Sequence, residues 1–129
     1  MFDALPRESD VISIHIHMTP DNRHLINRDA FARMKAGVIL LNTSRGGIID
    51  ETAFIETLNS GKVGGAGLDV IEGEWRTDLI DHPLVKYMNA HDNVVILPHL
   101  GGITWESRRM ACEFTANKLA AEIERMARA

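Results

Sequence analysis

Three short apolar runs in this chain each lead directly into a polar, glycine-containing cluster. The runs at residues 38–42, 62–70 and 93–98 have the length and composition of buried parallel strands. In an open α/β sheet, ligands bind beyond the carboxyl ends of the strands. The clusters therefore place an arginine, a carboxylate and a histidine at one predicted binding edge: Arg45, Glu74 and His99.

Helix signals alternate with these runs. Asn27 and Asp50 are suited to cap helices at their N-termini, and Gly37 and Gly61 to end them. Alternating strands and helices with short connections predict βαβ units and right-handed crossovers. Residues 72–92 are long and acidic, and we expect an irregular excursion there with one helical turn near residues 84–88. The fold class predicted is α/β, a Rossmann-type parallel sheet of about four strands, at residues 11–17, 38–42, 62–70 and 93–98, with helices over 28–36, 51–60 and about 105–127.

The chemistry of the three candidate side chains suits an anionic carbonyl acid. The guanidinium of Arg45 can bind a carboxylate through two donors, although pairing with Asp50 or Glu51 on the surface is an equal alternative for this residue alone. The imidazole of His99 can take a hydroxyl proton near neutral pH and return it, although a histidine at a strand end is more often structural. A carboxylate, from Glu74, would fix its tautomer.

The order and spacing of Arg45, Glu74 and His99, which lie 29 and 25 residues apart, resemble the D-isomer-specific 2-hydroxyacid dehydrogenases. The resemblance runs from about residue 5 to the end of the chain. It implies a hydride transfer between a D-2-hydroxy or 2-keto acid and nicotinamide, with Arg45, Glu74 and His99 as the catalytic residues. It also favours Glu74 over Glu72 as the acid, since the family's acid follows five residues after the aspartate at position 69. Trp75 departs from the proline that is frequent after that acid.

The same resemblance implies the cofactor contacts. Asp69 corresponds to the residue that accepts a hydrogen bond from the nicotinamide carboxamide. Thr19 and Pro20 belong to a His-x-Pro-Leu-Thr-Pro-like segment in which His17 replaces a proline, although a simple turn would explain them equally well. NAD is the expected cofactor, with NADP as an alternative. The complete set of cofactor-binding candidates is His15, Thr19, Pro20, Thr43, Ser44, Arg45, Asp69, His99, Gly101 and Gly102.

The glycine-rich turn that holds a dinucleotide pyrophosphate is missing from the sequence. Gly-x-Gly-x-x-Gly does not occur, and the nearest match, residues 64–67, leads into an apolar run and is expected to be part of a strand. We therefore expect residues 1–129 to form the second half of a dinucleotide-binding domain, without its first half and without a separate substrate domain. The isolated chain is accordingly expected to be inactive.

Composition limits the partners. The net charge of -4 provides no basic surface for nucleic acid or an anionic membrane, and no apolar run is long enough to span a bilayer. A single cysteine, Cys112, and no signal peptide favour the cytoplasm. From the family resemblance, we expect the complete enzyme to be a homodimer.

Two other functions are compatible with parts of the sequence. His15, His17, Asp69 and His99 are conceivable metal ligands of a hydrolase, but that chemistry has no role for the Arg45 cluster, and no metal is expected. Alternatively, the chain is a non-catalytic, truncated dinucleotide-domain module that acts in dimerisation or binding. That alternative predicts an exposed apolar sheet edge and helix face.

Overall fold

The first of two units contains a parallel sheet. A computed structural model describes residues 4–128, and the chain divides into residues 1–98 and 99–129. All neighbouring strands pair in parallel, in the order β1-β2-β3-β4, which confirms the predicted α/β fold. The strands are β1 (Val11–Ile14), β2 (Val38–Asn42), β3 (Val63–Leu68) and β4 (Val94–Ile96).

The predicted helix caps are confirmed. The side chain of Asn27 accepts a hydrogen bond from the Ala30 amide at 3.0 Å, and that of Asp50 accepts from Thr52 at 3.1 Å and from Ala53 at 3.2 Å. Each capped helix therefore begins where the sequence predicts. The helices of the first unit are α1 (Ala4–Glu8), α2 (Arg28–Arg33), α3 (Glu51–Asn59) and α4 (Pro83–Ala90).

Several predicted bounds were wrong. β1 stops at Ile14 instead of residue 17, and α2 ends at Arg33 because Met34 adopts an extended backbone. Helix α4 is longer than the single turn expected. It gains a defined start from His82, which caps it, and from the following proline, whose missing N–H costs nothing at the first helical position. Helix α1 and the short 3₁₀ turns were not expected.

The core of the first unit lies on one face of the sheet. The rings of Phe31 on α2 and Phe54 on α3 stack with centroids 5.7 Å apart, and both are fully buried. Along β2, Val38 and Leu40 are buried, whereas Ile39 on the opposite face is 38% exposed. The expectation that β2 is covered on both faces was therefore wrong for this strand, whose side chains alternate between a buried and a partly open face.

The edge strand β1 exposes apolar surface. Val11 is 56% exposed, and a cavity of about 220 Å³ lies beside the strand. Its lining is almost wholly apolar and includes Leu5, Ile12 and Ile14. An apolar edge of this kind was expected if the chain packs against further structure.

The second unit is dominated by a long helix, α5 (Trp105–Ala127), which begins where the Thr104 hydroxyl accepts the Ser107 amide at 3.2 Å. None of its described residues is buried. Among the helices in residues 4–128, none combines the length and the apolar character that crossing a membrane requires. The exposed large apolar side chains of α5 are Trp105, Met110, Phe114, Leu119, Ile123 and Met126.

Candidate active site

The carboxyl ends of the four strands are level with one another. The parallel register pairs Ile14 with Asn42, Asn42 with Leu68, and Leu68 with Ile96. Segments that follow these residues therefore leave the sheet at the same edge. Three of the candidate residues, His15, Thr43 and Asp69, come directly after a strand at this edge.

A buried asparagine shapes the loop that carries Arg45. The Asn42 side chain is fully buried at the end of β2. Its Nδ2 donates to the Arg45 carbonyl at 3.0 Å, and its Oδ1 accepts from the Ser44 amide at 3.0 Å. Both halves of the amide are thus used within one turn, which fixes the backbone that positions the Arg45 side chain.

The candidate cofactor residues after β1 and β2 contact one another. The Ser44 hydroxyl donates to the Ile16 carbonyl, and the Thr43 hydroxyl lies 3.4 Å from Nδ1 of His15. Nε2 of His15 is also 2.7 Å from the Ser13 hydroxyl. The structure therefore brings His15, Thr43 and Ser44 together in one polar group.

Thr19 and Pro20 lie in a turn after β1. The Thr19 amide donates to Oδ1 of Asn22 at 2.7 Å, and a 3₁₀ turn occupies Pro20–Asn22. Asn22 also donates to the His17 carbonyl at 2.8 Å. These bonds give the segment a defined turn structure, as the simpler interpretation of the two residues predicted.

Asp69 is buried immediately beyond β3. Asp69 is only 5% exposed, and its backbone amide donates to the Asn42 carbonyl at 2.9 Å. This bond extends the pairing of β2 and β3 by one residue. A buried carboxylate is consequently placed at the binding edge rather than on the outer surface.

Arg45 and Glu74 line the same cleft. The cleft has a volume of about 310 Å³, and the backbone of Gly46 and Gly47 forms part of its wall. Nη1 of Arg45 donates to the Ser44 carbonyl at 2.7 Å. Since a guanidinium has five N–H donors, most of its capacity is not used by that one bond. Trp75, at the position where proline is frequent in the family, also lines the cleft.

Asp50 and Glu51, which were considered as surface ion-pair partners of Arg45, make other contacts among the described residues. Asp50 caps α3 through its Oδ1. Glu51 accepts the Glu72 amide at 2.6 Å and lies 3.3 Å from Nε2 of His82. Both acids thus act within the fold, and Arg45 lines the cleft.

Gly46 brings two loops into direct contact. A Cβ at this position would overlap the backbone of Ile71 and Glu72, far inside the 3.0 Å that real Cβ atoms respect. The Arg45 loop therefore packs on the segment that leads to Glu74. Only glycine allows this approach, so the sequence requirement comes from packing rather than from backbone conformation.

No sequence pattern predicted the polar network around Glu72. We call Arg23, His24, Glu51 and His82, which all contact this residue, the Glu72 network. The Glu72 carboxylate pairs with Arg23 and lies 3.1 Å from Nε2 of His24, while its carbonyl is 2.9 Å from Nε2 of His82. The members come from distant parts of the chain, so only a capping signal at His82 and Pro83 could have indicated one of them.

Burial and charge shift two carboxyl groups of the Glu72 network. Burial raises the pKa of Glu51 to about 7, helped by the nearby Glu72 charge and opposed by the Glu72 amide. Burial also acts to raise the pKa of Glu72, but the hydrogen bonds from His24 and Arg23 outweigh it and bring the pKa below its ordinary value. Glu72 is therefore held as an anion, whereas the pKa of Glu51 is shifted towards neutrality.

The remaining candidates belong to the second unit. His99, Gly101 and Gly102 precede α5. His99 has a φ of 55°, which is uncommon for a residue other than glycine and is often found at functional sites. The structure thus brings Arg45 and Glu74 together within the first unit, and the pairing of Glu74 with His99 stays a prediction.

The proposed metal ligands do not form a cluster in the part of the chain that the structure describes. Within residues 4–128, no group of three or more histidine, cysteine, aspartate or glutamate side chains is arranged to hold a metal ion. Both ring nitrogens of His15, one of the suggested ligands, lie near hydroxyl groups instead.

Comparisons with known proteins identify one family. The family model described as "D-isomer specific 2-hydroxyacid dehydrogenase, NAD binding domain" matches residues 1–101. The chain is 51% identical over 107 residues to a hydroxypyruvate reductase of Thermotoga maritima, covering 83% of this chain and 34% of that protein. It is 39% identical over 120 residues to a D-lactate dehydrogenase of Escherichia coli K12, covering 88% of this chain and 36% of that protein.

The solved structures agree. A D-lactate dehydrogenase from Aquifex aeolicus, complexed with NAD and lactic acid, superposes with a TM-score of 0.78 at 36% identity. The match covers 95% of this chain and 40% of that one. This chain therefore spans about a third of the length of the relatives that it matches in sequence.

Gly46→Ala should destabilise the first unit. The added methyl group would force the Arg45 loop away from the Glu72 backbone, and overpacking of this kind costs about 1–3 kcal/mol. Urea unfolding followed by circular dichroism would measure the free energy of unfolding. Gly102→Ala is the matched control, because a Cβ there meets nothing within 4 Å. Equal midpoints for the two variants would contradict the proposed contact.

Proposed function

The chain belongs to the D-isomer specific 2-hydroxyacid dehydrogenase family, and we propose that it provides the catalytic side of such an enzyme's NAD-binding domain. In the complete enzyme, a D-2-hydroxy acid would be oxidised to the 2-keto acid, or the keto acid reduced, with NAD as the cofactor. The observation that carries this proposal is the cleft shared by Arg45 and Glu74 beyond the carboxyl ends of the strands.

Arg45 is proposed to bind the carboxylate of the acid. The Asn42 turn fixes the backbone of Arg45, and the two following glycines leave the cleft wall free of side chains. A guanidinium can then present two parallel donors to a carboxylate, and its charge polarises the neighbouring carbonyl of a keto acid. Small, anionic 2-hydroxy or 2-keto acids are therefore the proposed substrates.

His99 is proposed to exchange the proton of the substrate hydroxyl. During oxidation, its imidazole would take that proton while the C–H electrons leave the 2-carbon as hydride, and the reverse would occur during reduction. Glu74 would accept a hydrogen bond from the second ring nitrogen, which fixes the tautomer and stabilises the imidazolium. These roles follow from the family resemblance and from the position of Glu74 in the cleft.

The residues at the strand ends suit the nicotinamide end of the cofactor. Asp69 offers a buried acceptor for the carboxamide, and Thr43 and Ser44 lie close by on the neighbouring loop. Hydride exchange with the 2-carbon is the chemistry that bound nicotinamide supplies. The other proposed contacts are His15, Thr19, Pro20, Gly101 and Gly102, and NADP remains an alternative to NAD.

One observation favours a second function. The exposed apolar edge of β1, with the cavity beside it, is what a non-catalytic module acting in dimerisation or binding would present. A homodimeric enzyme in the cytoplasm, without nucleic-acid or membrane partners, stays our prediction for the complete protein. Catalytic activity of an assembled enzyme separates the two functions.

The isolated 129-residue chain should bind NADH weakly or not at all. The pyrophosphate of a dinucleotide takes much of its binding from backbone N–H groups at a glycine-rich turn and helix N-terminus, which this sequence does not contain. Calorimetric titration with NADH measures this directly. A dissociation constant of about 1 μM or below would contradict our view that the glycine-rich half is essential.

Arg45→Lys should impair an assembled enzyme although the positive charge is kept. For this test, the chain replaces the matching third of the Thermotoga maritima hydroxypyruvate reductase, and we call the product the chimera. Losing one charge-assisted hydrogen bond of about 1.5–3 kcal/mol predicts a fall of about 10- to 100-fold in kcat/KM for hydroxypyruvate. Steady-state kinetics would show this with the KM for NADH little changed.

Arg28→Lys is the control for this substitution, since Arg28 is exposed and pairs with Glu56. It should behave like the parent chimera. If a folded, NADH-binding parent chimera did not reduce hydroxypyruvate, the proposed function would fail. Equal kinetics for Arg45→Lys and Arg28→Lys would reduce Arg45 to a structural role.

His99→Gln should abolish most proton transfer in the chimera, at a cost of about 10²–10⁴ in rate. Glu74→Gln should be milder, and it should move the alkaline limb of keto-acid reduction to lower pH. Without the Glu74 charge, the imidazolium of His99 holds its proton less strongly, so the acid form needed for reduction disappears at lower pH. Rates measured across the pH range report both effects.

His91→Gln is the matched histidine control, because His91 is exposed and its ring stacks on Tyr87 with centroids 4.0 Å apart. It should leave both the rate and the pH profile unchanged. An alkaline limb that stays in place in Glu74→Gln would contradict the pairing of Glu74 with His99.

A further inference from the structure

The backbone of Glu72 is hydrogen-bonded on both sides by the ends of two helices. We propose that Glu51 and His82 are positioning residues that fix the segment carrying Glu74 relative to Arg45. The proposal rests on the proposed function, because it assigns these two residues a purpose in the same site. Neither is expected to touch substrate or cofactor.

Glu51 and His82 bind the two backbone groups of Glu72. Oε1 of Glu51, in the first turn of α3, accepts the Glu72 amide at 2.6 Å. Nε2 of His82, at the start of α4, is 2.9 Å from the Glu72 carbonyl. The two helices thus hold one peptide segment from both sides, two residues before Glu74.

The helix cap determines which ring nitrogen of His82 carries the proton. Nδ1 accepts the Leu84 amide at 3.2 Å, so the hydrogen of a neutral ring must be on Nε2. Nε2 can therefore donate to the Glu72 carbonyl, and it also lies 3.3 Å from Oε2 of Glu51. Because His82 is only 3% exposed, this arrangement is shielded from bulk solvent.

The segment that these bonds fix is also the one that packs on the Arg45 loop. Gly46 lies against the backbone of Ile71 and Glu72, with no room for a Cβ. Since the separation of the two loops is set by backbone contact, a displacement of Glu72 would move Glu74 relative to Arg45. A displacement of about 1 Å can cost as much as 10²-fold in rate.

The Glu72 carboxylate itself is occupied by Arg23 and by His24, whose Nε2 is 3.1 Å away. Glu72 is therefore constrained at its amide, its carbonyl and its side chain. The proposed mechanism accordingly assigns the catalytic carboxylate to Glu74, which also lines the cleft.

Burial of Glu51 outweighs the hydrogen bond that its carboxylate accepts from the Glu72 amide. Its two oxygens face the N–H groups of Glu72 and His82. The titratable groups around it are Glu72 after β3, His82 at the start of α4, and His24 before α2. Burial raises the pKa of Glu51 to about 7. Because this pKa lies above the ordinary value, the stability that the protonated carboxyl contributes is present at low pH and is lost as pH rises through about 7.

The first experiment uses the isolated chain and does not depend on any activity. Amide spectra recorded by NMR between about pH 5 and pH 9 should show the Glu72 amide proton moving downfield as Glu51 ionises, because a charged acceptor makes a stronger hydrogen bond. The midpoint should lie near 7. Glu51→Gln should abolish this titration, and Glu56→Gln, a change at an exposed position on the same helix, should retain it.

The second experiment measures the kinetics of the chimera. Glu51→Gln, and separately His82→Asn, should lower kcat about 10- to 100-fold with the KM for NADH little changed. Asparagine can still cap α4 but is too short to reach the Glu72 carbonyl. Both variants should also move the alkaline limb of reduction to lower pH, as Glu74→Gln does, because a displaced Glu74 stabilises the His99 imidazolium less.

The outcomes separate this proposal from the function on which it rests. The proposal is overturned if the chemical shift of the Glu72 amide proton does not change with pH in the parent chain, or if it still changes in Glu51→Gln. This holds even if Glu51→Gln folds poorly in the chimera. Parent-like rates and pH limbs in both variants, in a chimera that His99→Gln inactivates, also overturn it. If His99→Gln remained fully active, the proposed function would fail instead, whatever the NMR result.

Discussion

The contact between Gly46 and the backbone of Ile71 and Glu72 controls the geometry of the candidate site. It joins the loop after β2 to the segment after β3 without any intervening side chain. Arg45 and Glu74 therefore line one cleft although they lie 29 residues apart in sequence. Hydrogen bonds to Asn42 then orient the loop that carries Arg45, and hydrogen bonds to Glu72 orient the segment that carries Glu74.

Local signals in the sequence were sufficient for the sheet and for the helix starts. Asn27 and Asp50 cap their helices, and Gly61 adopts a φ of 72° just beyond the end of α3, because each of these signals acts within a few residues. Gly37 was wrongly predicted to end α2, since that helix already ends at Arg33. The polar segment after Asn42 could be placed at the binding edge for a related reason. Parallel strands must present their carboxyl ends together, so topology alone supplies that location.

The Glu72 network could not be predicted in the same way. Its bonds join residues 10 to 49 positions apart, and several of them involve backbone groups that no residue pattern encodes. At Arg45, the sequence alone left an ion pair with Asp50 or Glu51 as an equal alternative to substrate binding. Both are used by the fold, one as a helix cap and the other as an acceptor for the Glu72 amide.

Charge balance links the network to the proposed substrate. A cleft that receives an anionic acid gains from Arg45 but is opposed by each uncompensated carboxylate nearby. Two acids, Glu72 and Glu74, line this cleft. Arg23 and His24 engage the Glu72 carboxylate within the protein and keep its pKa below the ordinary value, so its charge is offset before any substrate arrives. The bonds that fix the segment carrying Glu74 therefore also reduce the repulsion that a substrate carboxylate would meet beside Arg45.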